Sequence, residues 1–143
     1  MIVDVHTHVP THQDEVPESD ERVDTIMRFP EKVRLTNSVD DYLAAMAPVD
    51  KAFILPIAPR PENADSDRRQ IPGWPESMNL NDAVAEVARR APDNKIVPFM
   101  ALHPFQPDVD AEYDRAVGDL GCKGIKMYPT PFDPESNVAF RLF

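Results

Sequence analysis

A single cysteine, Cys122, stands among 143 residues, so no internal disulfide can staple the chain. A reducing cytoplasm is the expected compartment, and a small buried residue opening a strand is the expected role. Glycine is scarce too: there are four, and none builds a phosphate-cradling loop. No Ser/His/Asp arrangement for acyl transfer is evident. No apolar run approaches the roughly 18 residues of a membrane span. Asp4, His6 and His8 interrupt the N-terminal apolar stretch too early for a signal peptide. Basic side chains are outnumbered, 15 against 25 acidic ones, giving a formal net charge of -10. That balance disfavours nucleic acid and anionic membrane as partners; it is compatible with an enzyme of a small-molecule substrate and identifies no particular one.

What the chain does have is proline, 16 residues of it, and 42% apolar residues, enough to core one modest domain. Proline collects in loops and at element ends because it fixes φ and lacks an N–H. Pro10, Pro59, Pro104 and Pro129 each follow one of four apolar segments: 2–8, 51–57, 95–103 and 122–128. These segments read as strands, the middle two apolar enough to be buried on both faces of a parallel sheet. Pro56 and Pro98 predict local irregularity there.

Helical patterns alternate with them. Ser38 and Asp41 form a capping pair ahead of Tyr42, Leu43 and Met46, and Pro48 stops that helix. Leu80, Val84, Val87, Ala88 and Ala91 make a second apolar stripe, with Arg89 and Arg90 in its last turn. Val109, Tyr113, Ala116, Val117 and Leu120 make a third, begun by Asp108 and ended by Gly121. A fourth begins near Ser136. The order βαβαβαβ, with right-handed crossovers, predicts four parallel strands with helices outside. Long strand-to-helix loops at 9–37 and 58–79 lie at strand C-terminal ends, where α/β proteins place their chemistry.

The most informative segment is Met1-Ile-Val-Asp-Val-His-Thr-His-Val9. Strand alternation puts Asp4, His6 and His8 on one face, and Val3, Val5 and Thr7 on the other, toward whatever covers the strand. Two imidazoles at a strand end can converge on one cation as neutral nitrogen ligands. The bland alternative is two exposed loop histidines. Asp4 is expected to orient other groups rather than to ligate.

Gly124, Lys126 and Tyr128 share one face of the fourth strand, so Lys126 is expected to face the sheet's inner side. A buried lysine needs a carboxylate, an anionic substrate or covalent modification; a lysine reaching the rim is the equally weighted alternative. His103 closes the third strand as a capping or substrate-contacting residue. His12 reads as a loop residue. Arg60, Arg68 and Arg69 read as solvated loop charges, and Trp74 as a pocket wall or a loop anchor.

Ile-Val-Asp-Val-His-Thr-His, the Leu-His-Pro strand end and Gly-Cys-Lys-Gly-Ile-Lys-Met-Tyr-Pro together resemble the amidohydrolase superfamily. The similarity is greatest to its amidohydrolase-related group, which includes aminocarboxymuconate-semialdehyde decarboxylase-like enzymes. The resemblance implies a (β/α)8 TIM-type barrel, of which residues 1–143 would be the first half, the chain being truncated before strand five. It implies a divalent metal, zinc first, held by His6 and His8. It makes Lys126 the positional candidate for a metal-bridging carbamylated lysine, with His103 and Tyr128 as further substrate-binding candidates. The implied reaction is hydrolysis, a metal-activated water attacking a carbonyl-type carbon, or non-oxidative decarboxylation. The family's remaining ligands come from later strands, so this length alone is expected to be inactive and to self-associate through an open apolar face. Two other readings stand beside it. One is a phosphoesterase of the polymerase-and-histidinol-phosphatase type, which needs early histidines absent between His12 and His103; the other is a non-catalytic association domain.

Overall fold

Alternation of short apolar strands with amphipathic helices produces a parallel α/β arrangement. The computed structural model describes residues 1–24, 32–56, 71 and 73–127. In chain order its elements are β1 (Val3–His8), β2 (Val23–Asp24), β3 (Val33–Arg34), α1 (Val39–Ala45), β4 (Lys51–Leu55), α2 (Leu80–Arg90), β5 (Ile96–Pro98), β6 (Met100–Ala101), α3 (Val109–Gly118) and β7 (Ile125–Lys126). The fourth helical pattern, Tyr128, Arg60, Arg68 and Arg69 lie outside the described residues.

β1, β4 and β5 form a three-stranded parallel sheet with β4 at its centre. The third expected strand is interrupted at Phe99, beside Pro98, where a proline predicts irregularity. Phe99 N–H still reaches Ile54 O at 3.0 Å. Beyond the break β6 pairs with β7 in a separate parallel ladder, Met100 opposite Ile125 and Ala101 opposite Lys126. The four expected strands are therefore parallel but not one continuous sheet among the described residues. A further departure lies inside the first long loop, where β2 and β3 form a small antiparallel ribbon.

The starts of α1 and α2 follow from local chemistry, whereas Asp108, expected to begin α3, makes no side-chain cap bond there. Ser38 Oγ accepts the Asp41 N–H while Asp41 Oδ2 accepts the Ser38 N–H, the reciprocal cap expected of α1. Asn79 and Asp82 repeat this at α2. Substituting such a cap costs about 1 kcal/mol.

The helices bury one face of the sheet. Val39 and Tyr42 from α1, Ala83, Val84 and Val87 from α2, and Ala116 from α3 pack with Ala52, Ile54, Ile96, Met100, Leu102 and Cys122. Val84, Val87 and Ile54 are fully enclosed, each burial stabilising by about 1.5–3 kcal/mol. Two expectations fail at the margins. Tyr113 and Val117 of α3 are exposed, so only Ala116 of that helix reaches the core. Val3 and Val5 are exposed as well; Val3 lies opposite Lys51, on the side away from the helix-covered Ala52 and Ile54.

Asn81, on the buried stripe of α2, pins that helix to β6. Its Oδ1 accepts the Ala101 N–H at 2.7 Å and its Nδ2 donates to Ala101 O at 3.2 Å. A side-chain amide thus substitutes for a neighbouring strand, leaving both buried polar atoms of that peptide satisfied.

Candidate metal pair at the end of the first strand

The ladder between β1 and β4 slips by one residue just before the histidines. Asp4 lies opposite Ala52 and Thr7 opposite Ile54, so Val5 and His6 together face the single residue Phe53. This is a β-bulge, uncommon between parallel strands and a known means of re-aiming a side chain. It overturns the strict alternation expected of β1. Ladder partners project to the same side, so Asp4 and Thr7 share the helix-covered side with Ala52 and Ile54. His8, opposite Leu55, projects to the other side. Asp4 is therefore not on the face of His8.

Three side chains of β1 hold the segment. Asp4 Oδ1 accepts the His6 N–H at 3.0 Å. Thr7 Oγ1 donates to Phe53 O at 2.9 Å and lies 2.7 Å from Tyr42 Oη. His8 Nδ1 lies 3.1 Å from Leu55 O, and a carbonyl only accepts, so that nitrogen carries a proton. In the neutral ring, Nε2 of His8 is then a bare lone pair, the form a metal ligand requires. Burial pushes the Tyr42 phenol above its ordinary range, with the Asp4 charge adding to the rise.

The consequence is convergence. His6 Nε2 and His8 Nε2 are 3.3 Å apart, and their rings meet edge to face at 77°. Two nitrogens each about 2.0–2.1 Å from one tetrahedral zinc are separated by about 3.3 Å, so the donor set fits two positions of such an ion. The same contact closes as a hydrogen bond when His6 is protonated on Nε2. Both rings are exposed, hence open to a ligand. Among the described residues no group of three or more His, Cys, Asp or Glu forms a metal-holding cluster.

The other sequence candidates do not join this pair in such a cluster. His103 is buried, 4% exposed, just past β6. It caps a turn: its N–H donates to Gln106 Oε1 at 2.9 Å, and its Nδ1 accepts from Phe105 N–H at 3.2 Å. Lys126 is half-buried on β7 opposite Ala101. Ile125 packs against the core, so Lys126 projects to the opposite side, as the strand pattern predicts. On that side the Phe53 and Phe99 rings stack at 5.4 Å, and Phe99 lies directly over Gly124.

His12 is more structural than a loop residue need be, and Trp74 takes the loop-anchor alternative of its two expected roles. His12 is buried, with Nε2 3.3 Å from Asp20 Oδ2 and its ring against Gly73. Trp74 is a loop anchor, its Nε1–H donating to Pro10 O at 3.0 Å in a buried contact. Together with Gln13 N–H on Gly73 O, these ties fasten the loop after β1 to the segment before α2. Cys122 is buried, and burial pushes its thiol up to about 11, which leaves it inert at neutral pH.

No family model, curated protein or solved structure matches the chain. No helix among the described residues is long and apolar enough to cross a membrane.

Proposed function

We propose that His6 and His8 are two ligands of a divalent-metal site, zinc first, in a hydrolase or non-oxidative decarboxylase of the amidohydrolase type. The observation that carries this reading is the 3.3 Å approach of the two Nε2 atoms, with His8 Nδ1 held on Leu55 O. When bound, the metal supplies a Lewis acid for a carbonyl-type substrate and lowers the pKa of water. The chain's own contribution is positional. Leu55 O selects the His8 tautomer, and Thr7 locks the strand between the two histidines onto β4 and α1. Lys126 places a cation on the side of β7 opposite the described helices, and on this reading it contributes to the binding of a substrate anion.

A catalytic zinc ordinarily has three protein ligands. The described residues supply two, so turnover on this reading waits for a third. We read the arrangement as the first half of a (β/α)8 barrel. Equilibrium dialysis against zinc tests the metal claim: about one ion per chain is expected, lost in His6→Ala and in His8→Ala. A native chain that retains no stoichiometric zinc sinks the reading.

Self-association is the second reading that an observation favours. Ile2, Val3 and Val5 are 60%, 39% and 63% exposed on and beside β1, an apolar border of the three-stranded sheet among the described residues. Sedimentation of the metal-free chain separates the two: association without zinc supports this edge, and a monodisperse 16.1 kDa species contradicts it.

A further inference from the structure

A regular strand advances about 3.3 Å per residue, so side chains two positions apart on one face start well separated. The two ring nitrogens of β1 nevertheless meet at 3.3 Å. What differs from a regular strand is the bulge at Val5 and His6, and the bulge removes a ladder partner from the backbone there. An exposed extra residue can relax toward several conformations unless something fixes it. The Asp4 carboxylate does so: Oδ1 takes the His6 N–H at 3.0 Å, a two-residue side-chain turn across the bulge.

We propose that Asp4 is a positioning residue for the metal pair. Its carboxylate oxygen is the local substitute for the missing ladder bond, and it sets the bite between His6 and His8. The proposal rests on the metal reading above and adds a residue that ligates nothing. Asp4 lies on the side of Ala52 and Thr7, whereas His8 lies on the side of Leu55, so Asp4 acts through the His6 backbone rather than by coordination. The other two anchors, Thr7 on Phe53 O and His8 on Leu55 O, fix the C-terminal end of the segment. Asp4 alone of the three contacts the bulge itself.

Two substitutions separate reach from charge. Asp4→Asn keeps the short acceptor and loses the charge; Asp4→Glu keeps the charge and moves the acceptor one methylene too far. Cobalt(II) alone, followed by its visible absorption, reports affinity and ligand geometry. Asp4→Asn is expected to bind within about threefold of the native chain. Asp4→Glu and Asp4→Ala are expected to bind about tenfold more weakly or worse, with an altered spectrum, as outer-shell partners of metal ligands generally do. Without metal, the His6 amide is expected to exchange faster in Asp4→Glu than in the native chain. The Asn/Glu pair keeps the test open should Asp4→Ala not fold. Native-like cobalt binding by Asp4→Glu overturns the proposal, as does an Asp4→Asn variant as weak as Asp4→Glu. His6→Ala and His8→Ala are the controls. If they leave cobalt binding intact, the metal reading fails and the proposal with it. If they abolish binding while Asp4→Glu does not weaken it, only the proposal fails.

Discussion

Thr7 Oγ1 lies 2.7 Å from Tyr42 Oη, joining the middle of β1 to α1 in a buried contact. Because Thr7 gives its own proton to Phe53 O, Tyr42 is the donor to Thr7. Thr7→Val keeps the shape but strands a buried phenol and a carbonyl. It is expected to cost about 2–3 kcal/mol in urea unfolding, against about 1 kcal/mol for Tyr42→Phe. Equal costs would mean that the Phe53 arm contributes nothing.

A second set of charges links α2 to α3. Arg115 donates to both carboxylate oxygens of Glu112 at 2.8 Å and also to Asp82, while Asn81 donates to Glu112 at 2.6 Å. Burial works against the ionised Glu112, but the bonds from Arg115 and Asn81 prevail and hold its carboxyl below the usual 4.5. A depressed folded value contributes stability above 4.5 and loses it as pH falls through the folded value. Glu112→Gln is expected to flatten the acid limb of a stability-versus-pH curve measured between neutrality and pH 3, at a cost of about 2 kcal/mol at pH 7. An unchanged acid limb would remove Glu112 from the account.

The loop tie at Gly73 is sterically tight. Its φ is +81°, a left-handed conformation, and a Cβ there would collide with the buried His12 ring at Cδ2. Gly73→Ala is therefore expected to destabilise by about 2 kcal/mol, strain and collision adding together. A neutral effect on thermal unfolding would show that the loop repacks freely.

Much of this architecture was legible in the chain. The Ser38 and Asp41 pair, the α2 stripe ending in Arg89 and Arg90, and the strand positions follow local periodicity and capping chemistry, which act over four residues or fewer. The failures share a different cause. Alternation assigned Asp4 to the face of His8, because nothing in a period-two pattern reveals that Asp4 will take the His6 N–H and admit an extra residue. Asn81 was missed although it lies on the apolar stripe three residues before Val84. Its partner, the Ala101 peptide, is twenty positions away. The α3 stripe overstated burial, since periodicity names an apolar face but not how much of it meets a neighbour. The histidine pair was legible as a motif; its 3.3 Å closeness belongs to the bulge.

The central claim is that His6 and His8 act together as ligands through Nε2. The chain has four histidines, and His12 and His103 are buried internal controls. Long-range ¹H–¹⁵N spectra of the imidazole nitrogens during a zinc titration test the claim directly. The Nε2 resonances of His6 and His8 should shift together and saturate at one ion per chain, with those of His12 and His103 unmoved. Zinc that leaves His6 and His8 unshifted, or moves only one of them, would contradict the account.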